Sequence, residues 1–163
     1  MWQAYYSRNP KVLHGELVAI LKEQFDIYAP SAMQIAKHFV SAAVKFKQAR
    51  GDYETIILPD LEKAYEQLKQ AIDGNFVPQE AARAELAWWV ARRTPGNDSP
   101  EEVGRLIGRL YSVLYGYEAP EFIQAGLLRA QAADIRDKDE LESDWQEIER
   151  ILHLSYSKLL SGL

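Results

Sequence analysis

The stretch 99-SPEEVGRLIGRLYSVLYG-116 carries the signals for both ends of a helix. Ser99 is placed to cap the first turn, Pro100 sits at the first helical position where its missing N–H is harmless, and Glu102 completes a capping box. Val103, Leu106, Ile107, Leu110, Val113 and Leu114 then recur at helical spacing on one face. Gly116 supplies the stop. Gly104 and Gly108 interrupt this helix one turn apart, each costing about 1 kcal/mol against alanine. Close approach of a second helix would offset that cost, and Gly126, Ala125 and Ala130 on the following segment are the natural counterparts. Arg105 and Arg109 exclude a membrane-embedded glycine pair.

The same punctuation recurs on either side. A first helix is expected from Pro10 to Ile27 (Leu13, Leu17, Leu21), broken by Tyr28-Ala29-Pro30. A second runs from Pro30 to Arg50 with Met33, Ile35, Ala36, Phe39, Val40, Ala43, Val44 and Phe46, and Gly51 stops it. The third starts near Asp52 or at Pro59-Asp60 and ends at Asp73-Gly74, with Leu61, Tyr65, Leu68 and Ile72 as its stripe. The run 55-TIIL-58 is rich enough in β-branching for a strand, but a lone four-residue strand has nothing to pair with. The fourth helix opens at Pro78 and ends before the loop 94-TPGNDSP-100. The sixth spans Pro120 to Asp137; the seventh spans Asp139 to Leu160 and buries Leu141, Trp145, Ile148, Leu152, Tyr156 and Leu159. The fold class is all-α: a compact bundle of six to seven amphipathic helices with short loops, residues 1–163 forming a single all-helical domain.

Composition narrows the chemistry. The chain is 47% hydrophobic and 26% charged, ordinary for a folded domain, with a net charge of −5 that disfavours nucleic-acid binding. That charge is uneven. Residues 1–50 carry seven basic and three acidic side chains, and the acidic excess peaks at 134-DIRDKDELESDWQEIE-149, a solvated face or a docking patch for a basic partner. The absence of cysteine removes disulfides, thiol nucleophiles and thiolate metal sites. The start, 1-MWQAYYSRNP-10, is no signal peptide, and no apolar run approaches the ~18 residues of a membrane span. A soluble cytoplasmic protein is expected, with no membrane partner.

Motif tests are mostly negative. A di-metal bundle site needs Glu three residues before His, but Lys11, Ile35 and Arg150 precede His14, His38 and His153. His-Glu-x-x-His and both glycine-rich phosphate loops are absent. Glu149 and His153 lie one turn apart, too few ligands for a metal; no cofactor is expected.

The helix containing 84-AELAWWVARRTPG-96 is the anomaly, because adjacent Trp88 and Trp89 diverge by about 100° around it. Trp89 and Leu86 are expected to fill the core, leaving Trp88 to face a second helix with Glu85 and Arg92 one turn to either side. The sixth helix offers Arg129 and Arg136 on one row and Asp134 and Asp137 on the next. Glu85, Trp88, Arg92, Arg129, Asp134 and Arg136 form the candidate ligand site, with Glu85 pairing to Arg129. Either these charges rim a helix contact, or they line a pocket for a carboxylate or phosphate on a planar ligand. Trp2, Tyr5 and Tyr6, and Tyr111, Tyr115 and Tyr117, are contact-surface candidates that core-edge packing would also explain. The functional expectation is a non-enzymatic module binding another protein or a second copy of itself. The alternative is a binder of small anionic or aromatic ligands. An enzyme would draw on Asp134, Asp137 and Glu149 as acid/base groups.

Overall fold

A computed structural model describes residues 10–138 and 145–163. The expectations for Trp2, Tyr5, Tyr6 and Leu141, and the centre of the acidic run, lie outside the described residues. Among those residues the chain is all-α, with seven helices and no strand: α1 (Pro10–Phe25), α2 (Ala29–Gln48), α3 (Tyr53–Ile72), α4 (Pro78–Arg93), α5 (Pro100–Tyr115), α6 (Pro120–Lys138) and α7 (Trp145–Ser161). None of them is long and apolar enough to cross a membrane. Two compact units divide the chain, Met1–Leu86 and Ala87–Leu163, with the boundary inside α4.

In the first unit α1 packs on α2 and α2 on α3. The buried face of α2 is mostly small (Ala32, Ala36, Ala42 and Ala43, with Ile35 and Phe46), while Met33 and Val44, expected in its stripe, are exposed. Tyr65 lies edge-on to Phe39 and to Phe76, with centroids 5.3 and 6.2 Å apart. Such edge-to-face pairs add a little to the area they bury.

Helix α3 takes the earlier of its two expected starts and holds Pro59 in its interior. An internal proline removes one backbone bond and crowds the carbonyl four residues back, at about 3 kcal/mol. Ile57 and Leu61, both fully buried, flank it, so burial on each side carries the helix through. Asp26, Asp52 and Asp73 all adopt φ of 51° at helix boundaries, a left-handed conformation aspartate tolerates better than most side chains. Asp26 ends α1 two residues short of the expected Ile27.

In the second unit α5 packs on α6 and α6 on α7. Ser99 caps α5 by accepting from the Glu102 amide at 3.2 Å, while the Glu102 carboxylate turns to Arg105 at 2.7 Å. Gly116, with φ of 81°, closes the helix as expected. The glycine pairing is also as the sequence implies. A Cβ on Gly104 would lie 2.6 Å from the Leu127 Cα, one on Gly108 2.9 Å from the Ile123 Cα, and one on Gly126 would collide with the Gly104 carbonyl. The backbones of α5 and α6 therefore touch where side chains would hold them apart.

Against the other side of α6, Ala132, Ile148 and Ile151 form a core that takes in Leu128, Ile135, Trp145 and Leu152. The buried Ser155 hydroxyl donates to the Ala125 carbonyl at 2.8 Å. Tyr111, Tyr115 and Tyr117 gather around the fully buried Phe122, and the Tyr117 hydroxyl donates to the Gly162 carbonyl at 2.6 Å. That tyrosine cluster is core-edge packing.

Candidate functional site

The C-terminal half of α4, with its paired tryptophans, and the C-terminal half of α6 meet within the second unit. Trp88 is the deeply buried indole, at 7% exposure, and Trp89 is half-buried. The expectation that Trp89 fills the core is therefore corrected. Both flanks of α4 are apolar, so periodicity gives no ground for ranking one indole above the other. Leu86 is buried as expected, and the two indoles meet edge-on at 6.1 Å.

Trp88 does face a second helix. The Arg129 guanidinium lies over its ring, 5.6 Å from the centroid, and donates to the Tyr111 hydroxyl at 3.2 Å. A cation over an indole face contributes about 0.5–1 kcal/mol when exposed and about 2 when desolvated. Farther along, Arg92 of α4 donates to one Asp137 oxygen at 2.5 Å, and Arg136 pairs with the other. One carboxylate thus bridges two guanidinia. Arg136 is almost wholly buried, which would cost several kcal/mol without such compensation. Asp134 stands half-buried one turn before Asp137.

Of the six candidate residues, Trp88 and Arg129 are brought into contact, and Arg92 and Arg136 converge on Asp137, which the sequence reading placed on the neighbouring row of α6 but left out of the candidate site. Glu85 belongs to the first unit, where it is buried and accepts from the Tyr65 hydroxyl at 2.9 Å. Trp88 Nε1 is a buried donor that meets no acceptor among the described residues. Chemically the cluster is a set of delocalised cations held by a ring, a phenol and a carboxylate.

Elsewhere the titratable groups are dispersed. No three His, Asp or Glu side chains among the described residues are placed to hold a metal ion. His14 Nε2 lies 3.0 Å from the Met33 carbonyl, and His38 Nε2 lies 3.3 Å from Gln67 Nε2. Glu149 and His153 are both exposed on α7.

The sequence reading missed Asp60. It is buried on α3 and accepts from Ser41 at 2.6 Å and from Lys45 at 2.7 Å, both on α2. Burial pushes its carboxyl upward, but the hydrogen bonds from Lys45 and Ser41 and the charges of Lys45 and His38 outweigh that, holding it below the ordinary value. Its place between Ile57, Leu61 and Ala64, on the buried face of α3, was the available signal.

An apolar strip also lies open on α7. Leu152, Tyr156 and Leu160 follow at four-residue spacing, and Leu163 continues beyond the last turn. Leu152 is half-buried; Tyr156, Leu160 and Leu163 are 41%, 51% and 57% exposed, which corrects the expectation that α7 buries Tyr156. No family model matches the chain, and neither does any curated protein or solved structure.

Proposed function

We propose that the chain is a non-catalytic helical interaction module that pairs with a second copy of itself through the outer flank of α7. The observation that carries this reading is the open row Tyr156, Leu160 and Leu163. Single exposed apolar residues are ordinary, but Tyr156 and Leu160 on one helical row, continued by Leu163 past the helix end, make a strip. The strip itself is uncharged on a chain of net charge −5. Two copies meeting there place no like charges face to face, as a two-fold, self-complementary contact requires. Light scattering after size exclusion tests it: a concentration-dependent dimer is expected for the native chain. A monomer is expected for Leu160→Glu, with helix content by circular dichroism unchanged. A native chain that stays monomeric at high concentration defeats the proposal.

One observation favours a second reading, in which the Trp88 cluster binds a small anionic aromatic ligand. Trp88 Nε1 is a buried donor that a ligand acceptor would satisfy, beside a guanidinium already stacked on the ring. A thermal-shift series with aryl carboxylates and aryl phosphates tests it. Stabilisation lost in Arg129→Met supports it, and no shift from any of them removes it.

A further inference from the structure

We infer that the open face of α2 is a docking surface for an acidic amphipathic helix of a partner protein. This stands on the first unit alone and is independent of the α7 strip. Helix α2 carries Lys37, Lys45 and Lys47 and no carboxylate in its twenty residues. Lys45 is committed to Asp60. Lys37 and Lys47 are exposed, and neither ammonium has an ion-pair partner among the described residues.

Those two lysines belong to a row. Met33, Lys37, Val40, Val44 and Lys47 recur at spacings of four, three, four and three, the period of a coiled-coil seam. The packed face of α2 lies elsewhere, on Ala32, Ile35, Ala36, Ala42, Ala43 and Phe46. On the seam Met33 is 52% and Val44 36% exposed, and Val40 is half-buried. Around the helix Met33, Val40 and Val44 form the centre line, with Lys37 to one side and Lys47 to the other. The row from Met33 to Lys47 is about 21 Å long, enough for a partner helix of about four turns.

The lysines choose the occupant. Polar residues inside a seam set partner and register through what they meet across it. A second α2 brings only further ammonium groups to the seam, face to face when parallel, and no carboxylate to meet them in either orientation, so self-pairing on this face is disfavoured. A helix with Glu or Asp opposite Lys37 and Lys47 and small apolar residues between them answers every position. An anionic membrane is the poorer fit: Met and Val are the only apolar members, no aromatic stands in the row, and two free lysines fall short of the basic clusters that hold lipid surfaces. The interleaved apolar residues give a phosphate backbone nothing to bind.

The test uses the whole chain and two synthetic four-turn helices sharing one valine–leucine stripe. One carries Glu at the two positions facing Lys37 and Lys47, the other Lys. Fluorescence anisotropy is expected to show saturable binding of the Glu helix, at least tenfold tighter than the Lys helix, weakening as salt is raised. Lys37→Glu/Lys47→Glu is expected to reverse that preference, which a collapsed fold cannot do. Leu160→Glu is expected to leave binding unchanged, separating this face from the α7 strip. Equal binding of the two helices overturns the inference. So does no binding up to ~1 mM, or capture by anionic phosphatidylserine vesicles that depends on the same lysines and exceeds capture by the Glu helix.

Discussion

Gly126→Ala is expected to destabilise the second unit, although in an isolated helix the same change stabilises by about 1 kcal/mol. The added methyl would collide with the Gly104 carbonyl and lie 2.8 Å from the Gly108 nitrogen. Both obstacles are backbone, so no rotamer change relieves them; α5 and α6 must move apart along the seam. Overpacking costs about 1–3 kcal/mol, and an obstacle that cannot rotate away belongs at the upper end, leaving a net loss of about 2 kcal/mol after the propensity gain. Gly15→Ala is the control. It sits in α1 with nothing within 4 Å of the new methyl, and it is expected to gain about 0.5–1 kcal/mol. Urea unfolding is followed by tryptophan emission, weighted to the second unit by Trp88, Trp89 and Trp145 of the four tryptophans, and by circular dichroism, which reads the helices of both units. With a slope of about 2 kcal/mol/M, the Gly126→Ala midpoint should fall by about 1 M. Adding Gly104→Ala should cost less than the sum of the singles, since both methyls open one gap. A Gly126→Ala midpoint equal to or above the native one would refute the close approach.

Asp60→Asn should lower stability by about 1–2 kcal/mol, because an amide keeps the shape but loses the charge that Lys45 meets, in a pair with a half-exposed lysine. The native Asp60 carboxyl sits below its ordinary value, so its contribution is complete above about pH 4 and is lost as pH falls through the folded value; acid titration of the variant should therefore be flatter there. Tyr65→Phe removes a donor from the buried Glu85 carboxylate and is expected to cost about 1–3 kcal/mol in thermal or urea unfolding, with Glu85→Gln/Tyr65→Phe recovering part of it. Asp137→Asn leaves Arg92 and Arg136 sharing a neutral amide. A loss of about 1–2 kcal/mol is expected, small for a buried pair because Asp137 is 43% exposed, and it should shrink in high salt. Asp73→Gly relieves a left-handed aspartate at the end of α3 and should raise the urea midpoint, by up to about 1 kcal/mol of stability.

What could be read from the sequence was what is encoded locally. Ser99, Pro100 and Gly116 mark the ends of α5 through groups within one turn of each other, so neighbours in the chain suffice. The glycines carry further because their helix-propensity cost needs an offset: Gly104, Gly108 and Gly126 imply a backbone contact from sequence alone. Pro59 misleads as a local signal. It favours a helix start, yet burial of Ile57 and Leu61 on its two sides decides otherwise. Met33 and Val44 fit the apolar period of α2 as well as Ala36 and Ala43 do, but the alanines meet neighbours and the larger side chains face water. Trp88 and Trp89 are interchangeable by composition, and only the position of Arg129 on another helix distinguishes them. The pairings of Asp60 with Lys45, Glu85 with Tyr65 and Arg92 with Asp137 join residues 15, 20 and 45 positions apart. No periodicity encodes such partners. A charge on an otherwise buried row, as with Asp60 between Ile57 and Ala64, still announces that a partner must exist, because leaving it unpaired would cost more than the row could return. By the same physics, Lys37 and Lys47 on the open seam of α2, being solvated, announce nothing until an apolar partner removes their water. Selectivity for an acidic helix is therefore written in the bound state, and only a binding measurement can read it.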